Sequence, residues 1–124
     1  MNTNRWMRAA LLLLALAAFA WAADVTGTWT VTFDTQVGSQ EYAFVLKQEG
    51  AKLTGVAKSA FAKAETPITE GAVNGDEITF VENLTYEGMP LRIVYKGKIS
   101  GDTIEFNRNV SEIADEKGTA KRVK

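Results

Sequence analysis

The chain has 124 residues, with 14 Lys and Arg against 15 Asp and Glu, and it contains neither His nor Cys. That length suits one domain with a modest core. The two missing residue types exclude disulfides, Ser-His and Cys-His nucleophile systems and zinc sites built on His or Cys, and the near-balanced charge leaves no nucleic-acid footprint.

At the N-terminus, Arg5 and Arg8 precede an apolar run over residues 9–20, followed by the small-residue site Ala20-Trp21-Ala22. This is the form of a secretory signal peptide, with cleavage expected after Ala22. The run is short of the roughly 20 residues that cross a bilayer, which disfavours the alternative of a permanent membrane anchor. The expected organisation is a signal peptide over residues 1–22 and one folded domain over 23–124. The domain is expected to be secreted or periplasmic and free of the membrane after cleavage. Setting Arg5 and Arg8 aside leaves 12 basic residues against 15 acidic, a net charge of −3.

After Asp24 the apolar residues alternate with a period of two, as in Trp29-Val31-Phe33, Tyr42-Phe44-Leu46, Ile78-Phe80, Leu91-Ile93-Tyr95 and Ile104-Phe106. That is the pattern of half-buried strands. Eight are expected, near residues 26–34, 40–48, 52–59, 66–73, 77–85, 90–99, 103–110 and 118–123. Residues 57–66, rich in Ala and Lys, read as a short helical turn or a loop.

One phrase, G-x-(V/I)-x-G-D-x-I-x-F, occurs at residues 71–80 and again 26 residues later at 97–106. Gly75-Asp76 and Gly101-Asp102 fit two-residue hairpin loops, with Gly first as a type II′ turn prefers. This register puts Val73 opposite Ile78, Gly71 opposite Phe80, Ile99 opposite Ile104 and Gly97 opposite Phe106. Each copy sets a ring against a glycine, which leaves room for sheet curvature. Asp76 and Asp102 then read as turn residues rather than as a pair of ligands or catalytic carboxylates. Gly50-Ala51 and Glu87-Gly88 fit further hairpin tips. Ile68 has the opposite parity to Gly71 and Val73, which a bulge near residues 69–70 reconciles. Consecutive hairpins with one apolar face are buried most simply by closure. The expected fold is all-β, an eight-stranded antiparallel up-and-down barrel; a two-sheet sandwich would need crossovers that the short turns do not provide.

Gly27-Thr28-Trp29 at the start of the first strand, with Arg122 near the end of the last, resembles the pattern of the calycins, the lipocalin and avidin-like ligand-binding barrels. The resemblance implies that Trp29 plugs the closed end of the barrel with Arg122 lying across its ring. Leu53-Thr54-Gly55 looks like the second hairpin of avidin-like proteins. The G-D-x-I-x-F phrase and the closing Thr119-Ala120-Lys121-Arg122 are similar to small secreted bacterial lipocalin-like domains of unknown function. The polar biotin-binding set of avidins and the lipocalin cysteines are absent from the sequence.

Strand order puts the tight turns at one end, beside Trp29, and the connections near residues 35–39, 60–65, 84–89 and 111–117 at the other. A closed base and a loop-rich mouth suit a ligand-binding calyx. The candidate ligand-binding residues are Phe33, Tyr42, Glu82 and Leu91 near the mouth, with Leu84 and Val110 beside them. Tyr95 and Arg108 are expected deeper, and Phe61 and Tyr86 on the loops above. Trp29, Arg122, Gly71 and Gly97 are structural candidates. The same rings could instead fill an eight-stranded barrel completely. Glu82 and Arg108, charges at inward positions, are then expected to pair with each other or to reach solvent, because an unpaired buried charge is costly. On the outer face, Val45 faces Val56 and Val81 faces Val94.

Three functions compete. The leading one is a non-catalytic exported binding protein that holds a small apolar or amphipathic molecule in the barrel. The second is a periplasmic or secreted protein-interaction module, an inhibitor or accessory subunit with a packed interior and a protein partner. An enzyme is disfavoured, because its chemistry would fall to Glu70 and Glu82, the inner-face acids, with strongly shifted pKa values. No catalytic residue, cofactor, metal or nucleic-acid partner is expected.

Overall fold

Alternation of apolar and polar residues becomes alternation of burial: Trp29, Val31 and Phe33 are buried while Thr30, Thr32 and Asp34, each following one of them, are exposed. The computed structural model describes residues 24–60 and 63–124. Its eight strands are β1 (Gly27–Thr35), β2 (Gly38–Glu49), β3 (Lys52–Ser59), β4 (Ala64–Asn74), β5 (Glu77–Tyr86), β6 (Met89–Ser100), β7 (Thr103–Val110) and β8 (Ala114–Arg122). They form a closed barrel in sequence order, each strand antiparallel to the next, with β8 returning to β1. The signal peptide expected over residues 1–22 lies outside the described residues.

The doubled phrase is architecture. Gly75 and Gly101 have φ of +64° and +60°, and Asp76 and Asp102 after them stay out of the positive region, as a type II′ turn requires. Three base turns are stitched forward in the same way. The carbonyl of Ala51 accepts from Val73 N–H (2.8 Å), that of Asp76 from Ile99 N–H (2.8 Å) and that of Asp102 from Arg122 N–H (2.9 Å). Each turn thus caps the hairpin after it.

The two repeat glycines differ in what they make room for. Gly97 pairs with Phe106, and a Cβ on it would sit 2.8 Å from the Phe106 ring and 2.7 Å from Ile104. Gly71 does not face Phe80 in this way, which corrects the expected pairing. The register shifts between Thr69 and Ala72, so Glu70 and Gly71 form a bulge, with Glu70 at φ +54°. A Cβ on Gly71 would collide with the backbone carbonyl of Leu53 on β3, so this glycine permits strand approach. The bulge returns Ile68 to the interior beside Val73. It also turns Glu70 outward, where Arg92 grips both its oxygens at 2.8 and 3.2 Å. Glu70 is therefore not an inner-face acid.

At the base, Trp29 is fully buried and its Nε1 donates to the Val25 carbonyl (3.0 Å). The Arg122 guanidinium lies 4.3 Å from the Trp29 ring centre. Its nitrogens donate to the carbonyls of Thr26 (2.8 Å) and Asp24 (3.0 Å) and to Asp102 Oδ1 (3.1 Å). Asp102 therefore does more than turn the chain, whereas Asp76 serves the turn and its stitch.

Three further expectations change. The connections at the other end are short, spanning residues 36–37, 60–63, 87–88 and 111–113 between strands, so the mouth is not loop-rich. The last strand begins at Ala114, four residues earlier than residue 118. Val81, on the outer face and paired with Val94, is buried rather than surface-exposed.

Candidate functional site

Register assembles the polar centre of the barrel. Tyr95 on β6 pairs with Arg108 on β7, and Arg108 pairs with Glu116 on β8, so three adjacent strands bring the three side chains abreast. Arg108 Nε and Nη2 both reach Glu116 Oε1 at 2.7 Å. Its Nη1 donates to the Tyr95 hydroxyl (3.0 Å), and its Nη2 to Gln40 Oε1 (3.2 Å). The Tyr95 hydroxyl donates to Glu82 Oε1 (2.8 Å). The guanidinium plane lies 4.1 Å from the Phe33 ring centre and 4.9 Å from that of Tyr42, a cation–π placement strengthened by burial.

Glu82 and Arg108 do not pair directly, which corrects that expectation; Glu82 is shut off from solvent, and Arg108, 3% exposed, lies at the lining of the mouth. Tyr95 stands between them, and Arg108 takes its counter-charge from Glu116 instead. Glu82 is fully buried and its Oε2 has no hydrogen-bonding partner. Burial pushes its carboxyl above the usual glutamate range, against the Tyr95 hydrogen bond and the Arg108 charge. A neutral acid lowers the cost of that position. Burial also raises the Tyr95 and Tyr42 hydroxyls, so both stay protonated.

Below this network the barrel is filled. Phe80 and Tyr95 stack with ring centres 4.7 Å apart, Phe44 meets Phe80 and Tyr95 at 5.3 Å each, and Phe106 lies 5.5 Å from Phe44. Above it a cup of about 170 Å³ opens at the mouth. Leu84, Leu91, Ile93 and Val110 give it apolar walls, while Gln40, Tyr42, Arg108 and Glu116 form its polar side. Drug-sized ligands occupy roughly 300–1,000 Å³, so this cup admits only the end of such a molecule; a dry cavity of about 150 Å³ holds one benzene. A larger hollow of about 750 Å³ lies against the outside of β1, β2, β3 and β8, lined largely by outward Thr, Lys and Glu side chains. That is a solvated sheet face, and the convergent polar groups belong to the cup.

Of the residues expected to bind a ligand, Tyr42, Tyr86, Leu91 and Arg108 line the cup. Phe33, Glu82 and Tyr95 are buried in or beneath the network, outside the cup lining. Phe61 lies outside the described residues. Sequence reasoning passed over Gln40 and Glu116. The signal for Glu116 was parity: Ala120 is inward, and stepping back by twos through Gly118 reaches Glu116.

No family model and no curated protein matches this sequence. Among solved structures, a mutant of the fluorescent protein UnaG is similar, at 10% identity over 81% of this chain and 96% of that chain, with a TM-score of 0.50. At that identity the likeness is one of fold alone, that of a closed β-barrel.

Proposed function

We propose that this chain is an exported, non-catalytic binding protein whose site is the mouth cup, and that it takes the end of a small amphipathic molecule. The observation that carries the reading is the cup itself, where apolar walls meet a polar side held in place by Arg108, Glu116 and Gln40. Buried polar groups fix orientation while apolar walls supply affinity. Export rests on Arg5, Arg8 and the apolar run over residues 9–20.

Native mass spectrometry of the protein purified from its own host tests this. A small-molecule mass that leaves on denaturation, and is absent from a Leu91→Trp variant that still folds, is the expected result. A bare protein mass, with no apolar probe binding either, would overturn it.

A second reading has its own observation. Val37, Tyr86, Met89 and Ile113 are 65%, 37%, 57% and 69% exposed, and all four flank the mouth connections. An apolar rim of this kind suits docking to a protein partner, which makes the chain an interaction module. Polar substitution of Val37 and Ile113 separates the two: loss of a co-purifying protein without loss of probe binding in the cup favours this reading.

A further inference from the structure

An arginine in a ligand cup ordinarily attracts anions, because its planar fork matches carboxylates and phosphates. Arg108 is the one cation lining this cup among the described residues, but its donors are engaged. Nε and Nη2 reach Glu116, Nη1 donates to Tyr95 and Nη2 also to Gln40. Tyr42 shares a further hydrogen bond with the same guanidinium. Its face is covered by Phe33.

We infer that Glu116 determines ligand specificity in the cup: by holding Arg108, it makes the site select uncharged amphiphiles over anionic ones. The inference rests on the mouth-cup reading of function. An anion could reach the guanidinium by displacing Glu116, whose side chain is itself 9% exposed, or the neutral Gln40 beside it. Removing one partner of a buried pair leaves the other uncompensated, which is strongly unfavourable. An anion that entered without displacing Glu116 would place two negative charges beside one positive. An uncharged group meets neither obstacle; the carboxylate favours a ligand that donates hydrogen bonds, while Gln40, whose oxygen accepts from Arg108, offers its Nε2 as a donor. Since about 170 Å³ takes a single ring or a short alkyl end, the remainder of the molecule lies over the rim, against Val37, Tyr86 and Ile113.

Two dyes of nearly equal size and shape separate the possibilities: N-phenylnaphthylamine is neutral, and anilinonaphthalene sulfonate is an anion. The wild-type protein is expected to bind the neutral dye at least roughly tenfold more tightly, and Leu91→Phe, which fills part of the cup, should weaken it. Glu116→Gln keeps an acceptor for Arg108 Nε but frees its charge, so the preference should move toward the anion by roughly tenfold or more. If that variant fails to fold, Gln40→Lys adds an uncompensated cation to the same wall and should move the ratio the same way. Equal binding of the two dyes by the wild type, or an unchanged ratio in the variants, would overturn the role of Glu116 and leave the cup standing. Failure of both dyes to bind would remove the cup reading and this inference with it.

Discussion

Two arginines lie across aromatic rings at opposite ends of the barrel, and their hydrogen-bond partners set their roles apart. Arg122 at the base is partly exposed and gives two of its nitrogens to main-chain carbonyls, of Asp24 and Thr26, so it fastens chain to chain. Arg108 near the mouth is buried and has side-chain partners alone, those of Glu116, Tyr95, Gln40 and Tyr42. Backbone partners make a clamp that any ligand leaves undisturbed. Side-chain partners make a surface whose charge one substitution can reset.

The comparison can be broken from the base first. Trp29→Ala removes the ring under Arg122 and opens a cavity, which should lower stability by about 3–5 kcal/mol in urea unfolding; a negligible change would show that the plug is dispensable. At the mouth, Arg108→Leu leaves Glu116 buried without its cation and should cost about 3 kcal/mol. Adding Glu116→Leu should restore much of that loss, because the penalty lies in the unpaired charge. Arg122→Ala should cost less, about 1–2 kcal/mol, since its site is open to water and its carbonyl partners can hydrate.

Glu82→Gln sharpens the contrast through pH. Burial raises the Glu82 carboxyl in the folded protein, so above the ordinary glutamate value of about 4.3 the folded state holds a proton that the unfolded chain has released. Stability therefore falls as pH rises through the interval up to the raised folded value. The Gln variant should lose that slope and gain melting temperature on its alkaline side; an unchanged pH profile would mean that Glu82 ionises in the fold at no cost. The smallest effect separates the two copies of the repeat. Asp76→Asn should be nearly silent. Asp102→Asn should lower melting slightly, because Lys124 and Arg122 hold that carboxylate ionised below its usual range. Its contribution should be present above about pH 4 and fade as pH falls through the folded value.

Strand positions were legible because the period-two pattern is strong wherever Phe, Tyr and Ile fall on inward positions. It fades in β8, whose inward residues Ala114, Glu116 and Gly118 are small or charged, so the pattern marks only the later part of the strand. The same gap hid Glu116, the counter-charge of Arg108. Glu82 and Arg108 stood out as charges with inward parity, but their linkage through Tyr95 depends on the register of three strands at once. At Gly71 parity revealed the bulge without revealing its neighbour, because the approach to Leu53 depends on the β3–β4 register, which shifts between Lys52 and Val56 and sets Lys52 opposite Ala72.

The seam that closes the barrel has a consequence for how the chain reaches this state. β1 and β8 pair in register at Trp29↔Arg122 and Thr30↔Lys121, Val123 N–H donates to the Thr28 carbonyl beside them (2.8 Å), and Arg122 reaches Thr26 across 96 residues of chain. Every other neighbouring pair follows a hairpin and can form locally. Closing so long a loop carries the largest entropic cost of any pairing here, so ring closure is expected late in folding. Until then an open sheet presents β1 and β8 as bare edges, available to a second chain. Concentration during refolding should therefore govern how much protein closes on itself and how much pairs with its neighbours.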